Sequence, residues 1–312
     1  MSFLRVSDQS RYTNLVPQYN NLLAQTLHVQ QQISSGNRLD RVDEDPLGAA
    51  QAQNINTQQG RIEQDSKNID FVQSFTQLTS TSIDTAIQYV QRANELAVEG
   101  GDATKSPTDR GALADEVNQI IKGLVDVGSQ KYYGQYLFSG SQSSTPAFTA
   151  VTDAAGNVTA VNYNGNGASQ QTEYSPGQQV AYNALGSNEN GGSFGVFRDV
   201  TSGVDAFQTL IQLRNDLTAN PANISNDIQS LSGVLSNLTI AQVKVGSLQN
   251  RLTSITTEQQ DQNEHLSSAL GKIQNTDLPA AATQLSGLQT AYQAALATGA
   301  RVGQLSLLDY LK

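Results

Sequence analysis

The densest run of chemistry-bearing side chains is SSGNRLDRVDEDPLGAA, from Ser34 to Ala50, with two Arg-Asp pairs, an acidic triplet and a proline. Such residues serve an active site, a divalent ion, a helix start or a charged docking surface. An oxygen-ligand loop places its ligands at alternate positions and turns on a glycine, and Asp43-Glu44-Asp45 does neither. Asp45 before Pro46 fits an N-cap followed by a first-turn proline, with Asp43 and Glu44 near the positive end of the helix dipole.

The rest of the chain offers catalysis little. Cysteine is absent, which excludes disulfides, thiolate metal sites and cysteine nucleophiles. The two histidines, His28 and His265, stand far apart in polar helical stretches and read as solvated side chains. Ser139 and Ser141 have no nearby histidine and no nucleophile elbow. GNGASQ lacks the preceding apolar strand and the Lys-Ser/Thr ending of a phosphate loop, so it reads as a turn. Asp153, Glu173 and Glu189 are scattered, which counts against a polysaccharide hydrolase built on the middle of the chain. No catalytic residue, metal site or cofactor is expected, and the chain reads as a non-enzyme.

Charge narrows the partners. Only 15% of the 312 residues are charged, yet the net charge is -10, and no basic cluster stands out. Such a chain has little with which to grip nucleic acid or an anionic lipid surface. No apolar run approaches the roughly 18 residues of a membrane span, so no membrane insertion is expected. MSFLRVSDQSRYTNLVPQYN lacks the basic-apolar-small order of a secretory signal, which leaves the cytosol or an export route without cleavage.

The elements that must position these residues are helical at both ends of the chain. Ile55, Ile62, Ile69, Thr76, Ile83, Val90 and Ala97 recur every seven positions, the seam of one long helix. VEGGDATKSP ends it, and Ser106-Pro107 opens a shorter helix with Leu113, Val117, Ile120, Ile121, Leu124 and Val127 inward. A second long seam runs from Leu231 through Val234, Leu238, Ala241, Val245, Leu248 and Leu252 to Ile255. Gln259 and Gln262 continue it as polar residues, and Leu266, Ala269 and Ile273 resume it. Pro279 breaks the run, and a last amphipathic stretch carries Leu285, Leu288, Tyr292, Val302, Leu305 and Leu308. At the other end Leu15, Leu22 and Val29 form a stripe beside Tyr19, Thr26 and Ile33, with Pro17 expected to kink or delay that helix.

Residues 133-199 are rich in Gly, Asn, Thr and Tyr, and DAAGN, YNGNG and SPGQ read as turns between short strands. The fold class is therefore mainly α with a small β insert: a long coiled-coil-like bundle formed by both chain ends. The expected division pairs 1-44 with 276-312, then 45-132 with 200-275, and leaves 133-199 as a β-rich insert. The insert disfavours a coiled-coil signalling module.

SSGNRLDRVDEDPLGAAQA resembles the N-terminal signature of the bacterial flagellin superfamily, where an S-[ST]-G-[KN]-R run leads to acids and small residues. GQYLFSGSQSSTPAF, VNYNGN, GQQVAYNALGS and the closing QLSLLDYLK are similar to that family in the same order. The resemblance implies an axial flagellar component at the junction between hook and filament, with a short flagellin as the alternative. It implies paired chain ends lining an inner tube, export without a cleaved signal, and an extracellular place in the flagellum. It also implies a ring of copies, co-assembly with hook-associated protein 1 and flagellin, and an export chaperone on the C-terminal helix. Subunit-interface candidates are then Leu15, Leu22, Val29, Leu285, Leu288, Tyr292, Val302, Leu305 and Leu308. The connector residues Arg38, Asp40, Arg41 and Asp43 join them.

Energetics fit such a chain. Burying one Leu gains about 1.5–3 kcal/mol, against about 1–2 kcal/mol of backbone entropy per ordered residue. Isolated helices of about 20 residues are marginal in water. Residues 1-40 and 280-312 are therefore expected to order only on assembly.

Overall fold

A computed structural model describes the backbone of residues 3-39, 41 and 43-310, and the side chains of 16-39, 41 and 43-300. The order is α1 (Phe3–Ser35), α2 (Pro46–Gly100), α3 (Pro107–Gly128), nine short strands, α4 (Ala206–Ala219), a 3-10 turn (Pro221–Asn223), α5 (Ile224–Gln274) and α6 (Leu278–Tyr310). The strands run from β1 (Lys131–Tyr132) to β9 (Val204–Asp205). The chain is mainly α with a small β portion in its middle, as the periodicity predicts. It divides into two compact units, Met1–Gly60 with Asp261–Lys312, and Arg61–Gln260.

In the larger unit the heptad residues meet their purpose. Ile69, Thr76, Ile83, Val90 and Ala97 of α2 are buried, as are Leu231, Val234, Leu238, Val245, Leu252 and Ile255 of α5. Polar side chains flank this seam: Gln73 bonds Thr256 at 3.0 Å, Gln77 meets Gln249 at 3.2 Å and Gln242 donates to Ser80 at 2.9 Å. Amides and hydroxyls, rather than charges, set the register of α2 against α5. Gln259 is buried in the seam because its Nε2 donates to the Tyr174 carbonyl at 2.9 Å, tying α5 to a strand. Gln262 is exposed, and nothing in the structure explains its place in the seam.

Helix α3 starts at a capping box in which Ser106 and Asp109 serve each other's backbone N–H. Asp205 caps α4 by accepting from Phe207 and Gln208, each at 3.0 Å. The strands form three antiparallel hairpins and one three-stranded sheet in which β7 (Leu185–Ser187) runs parallel to β8 (Gly195–Asp199). DAAGN is the turn between β3 (Phe148–Thr152) and β4 (Val158–Tyr163), where Asp153 accepts from the backbone of Ala155 and Asn157. SPGQ turns β5 (Gln171–Ser175) into β6 (Gln178–Ala181), with Gly177 at φ 75°.

These hairpins share the helices' core. Phe148 packs on Phe197 and Phe207 at ring separations of 5.5 and 4.7 Å, and all three are fully buried. A Cβ on either Gly128 or Gly186 would come within 2.7 Å of the Phe148 ring, so close approach requires glycine at both. Asn237 of α5 donates to the carbonyls of Gly195 and Val196 at 2.9 and 2.8 Å, holding β8 against the helix.

Candidate assembly interface

The smaller unit is built from α1 and α6 together with the adjoining ends of α2 and α5. α1 runs antiparallel to α6, and Tyr19 Oη donates to the Ala295 carbonyl at 2.6 Å. The helix runs as one element from Phe3 to Ser35 with Pro17 inside it, so the proline, although it removes one backbone donor, does not delay its start. Of the predicted stripe, Val29 is buried and Leu22, Leu285, Leu288 and Tyr292 are half-buried. The side chains of Leu15, Val302, Leu305 and Leu308, and the whole of Asp40, lie outside the described residues.

A second apolar stripe faces outward on α1. Val16, Leu23 and Leu27 are 57%, 43% and 56% exposed, and Leu278 and Leu296 of α6 are about half exposed. Their spacing puts Val16, Leu23 and Leu27 on one helix face, beside the Tyr19-Leu22-Val29 face that meets the unit's interior. The chain ends thus pair with each other within one chain.

The connectors between α1 and α2 and between α5 and α6 are stitched together. Asn37 bridges Asn275, the Arg38 amide donates to the Gln274 carbonyl at 2.6 Å, and the Thr276 amide donates to Gly36 at 2.9 Å. The Arg38 guanidinium donates to the Ile273 carbonyl at 3.0 Å and to Asp45 at 3.2 Å. It therefore satisfies a carbonyl in the last turn of α5 and braces the start of α2. Asp45 accepts from the Gly48 amide at 2.8 Å, with Pro46 as the first residue of α2. The Gly48 N–H, then Arg38, hold the Asp45 carboxyl below the usual carboxylate range.

Arg38 thus has partners within the chain, while its side chain stays 48% exposed. Arg41 and Asp43 are each 67% exposed and, among the described residues, pair only with one another, at 3.2 Å. His28 also departs from expectation. It is half-buried, 2.9 Å from the Gln32 amide and 3.4 Å from Glu44, and helps fasten α1 to the connector, whereas His265 is exposed. Among the described residues, no group of His, Cys, Asp and Glu is placed to hold a metal ion, and no helix is long and apolar enough to cross a membrane.

Two long helices, paired chain ends and a strand-rich middle define a mainly helical protein with both chain ends brought together. Residues 6–143 match the family model of the bacterial flagellin N-terminal helical region, and residues 228–311 that of its C-terminal helical region. The chain belongs to the flagellin family and is a flagellar structural protein, not an enzyme. It is 27% identical over 329 residues to the flagellar filament 41 kDa core protein of Borreliella burgdorferi, covering 89% of this chain and 92% of that protein. With flagellar hook-associated protein 3 of Salmonella typhimurium it shares 26% identity over 150 residues, 48% of this chain and 47% of that protein. A putative flagellar hook-associated protein from Vibrio parahaemolyticus has the same fold, at TM-score 0.64 and 15% identity, over 74% of this chain and all of that one. Hook-associated protein 3 from Legionella pneumophila aligns at TM-score 0.59 and 17% identity, over 71% of this chain and 98% of its own.

Proposed function

We propose that this chain forms the junction between hook and filament. The observation that carries the proposal is the middle of the chain: a strand-rich stretch that shares one core with α2–α5, in a fold that solved hook-associated proteins also have. In this reading the chain assembles as a ring, with hook-associated protein 1 below and flagellin above. The outward stripe of α1 and the exposed Arg41-Asp43 pair meet neighbouring copies, and residues 133-199 face away from the axis. A chaperone covers the C-terminal helix before export, which proceeds without a cleaved signal to the extracellular flagellum.

One observation favours a second reading. The likeness to the Borreliella filament core protein extends over 92% of that protein, which fits a short flagellin that builds the filament itself. Polymerisation separates the two. A junction protein added to filament seeds attaches without growing them, whereas a flagellin extends them into long filaments by itself. Long filaments grown from the purified chain alone would overturn the junction reading.

A further inference from the structure

At the α4–α5 corner of the larger unit two acids are buried against each other. Asp216 lies near the end of α4 and Asp227 in the first turn of α5, with the 3-10 turn Pro221–Asn223 between them. They are 6% and 3% exposed, and each has one carboxylate oxygen, Oδ2, with no solvent access and no hydrogen-bond donor. Two ionised carboxylates in contact at such a depth repel each other and lose their hydration. One proton held between them turns the repulsion into a hydrogen bond and satisfies both oxygens.

Among the described residues no neighbouring cation substitutes for that proton. On α4, Arg214 turns to the Val158 carbonyl, Asn118 and Asn215. The end of α2 approaches the corner through Gly100 and Gly101, which face Leu217 and Ile224. Of the charged groups around that end, Lys105 pairs with Glu99, and Arg110 donates to the carbonyls of Gly100 and Asp102. Asp102 caps Thr104, and Asp109 of α3 serves Ser106.

We propose that Asp216 and Asp227 share one proton and act as a latch between α4 and α5, closed in acid and released once both ionise. Burial, then the charge of Asp216 and their hydrogen bond, push Asp227 up to about 6 from an ordinary 3.8. Between those values the folded chain binds the proton more tightly than the unfolded one, so stability falls as pH rises and the loss is complete above the upper value. The carboxylates that the fold holds below their ordinary range, Asp45, Asp102, Asp109, Asp153 and Asp199 among them, act at lower pH and in the opposite sense. Within the window from about 4 to 7, Asp65, which burial and then the charge of Glu173 hold above its ordinary range, acts in the same sense as the latch. The difference between wild type and amide variants, not the window by itself, therefore isolates the latch.

The test is the unfolding equilibrium of the full chain across that window, for the wild type, Asp227→Asn and Asp216→Asn. The wild type should lose roughly a hundredfold in folding constant as the pH rises. Each amide variant should lose little and exceed the wild type at pH 7.5. Equal slopes in wild type and variants would overturn the latch. Should the variants fail to fold, carboxyl carbon NMR of the wild type decides: an Asp titrating near 6 supports the latch, and ordinary titration of every Asp overturns it. Millimolar calcium is the third arm. If it abolishes the wild-type pH dependence, the pair holds a cation rather than a proton and the proposal fails.

Discussion

At the scale of single residues, backbone carbonyls and amides decide what the polar side chains do. Asn237 answers two carbonyls of the β7–β8 region, and Asn237→Ala removes that buried donor from both. That change should cost about 1–3 kcal/mol in chemical denaturation. Burial pushes Asp199 up, but the backbone N–H groups of Ser202, Gly195 and Thr201 outweigh it and leave the carboxyl below its ordinary range. A lowered folded value means that its stabilisation is present above about pH 4 and is lost as the pH falls. Asp199→Asn should therefore be less stable than the wild type at pH 7, with the gap closing below pH 4. An unchanged gap at pH 3 would contradict this assignment. Arg38 was legible as a charged connector residue, but its partner Ile273 lies 235 positions away, beyond any local pattern. Arg38→Glu should speed amide exchange in both connectors, whereas Arg41→Glu, which breaks only the exposed Asp43 pair, should leave exchange unchanged.

At the scale of elements, heptad spacing made α2 and α5 legible because one buried face must repeat with the helix. Turn chemistry did the same for DAAGN and SPGQ, whose Asp, Gly and Pro act within four or five residues. The reason for Gln259 was hidden, since the Tyr174 carbonyl it satisfies lies 85 positions earlier on a strand. Gln259→Leu completes the apolar seam yet strands that carbonyl. Helix content should hold while hydrogen exchange in β5 and β6 accelerates, and unchanged exchange would remove Gln259 from this role. The α2–α5 flank is joined by Gln, Ser and Thr side chains rather than ion pairs. Raising sodium chloride from 50 mM to about 1 M screens charge pairs but not these bonds. The unfolding midpoint of the larger unit should therefore stay nearly level, and a steep fall would show that charge pairing dominates.

At the scale of the whole molecule, the fold leaves two kinds of surface. The larger unit closes its core on itself, from the Phe148-Phe197-Phe207 cluster to the α2 and α5 seams. The smaller unit pairs its two chain ends but leaves Val16, Leu23 and Leu27 turned outward, the apolar area that the proposed ring assigns to a neighbouring copy. The flagellin-like motifs made this division of labour readable in outline. The antiparallel pairing of α1 with α6 through Tyr19 and Ala295 was not, because it joins residues 276 positions apart. The most direct test of a junction role is electron microscopy of a strain lacking this chain, together with assay of its medium. The account predicts intact hooks without filaments, and flagellin shed as monomer. Hooks that still carry normal filaments would contradict it.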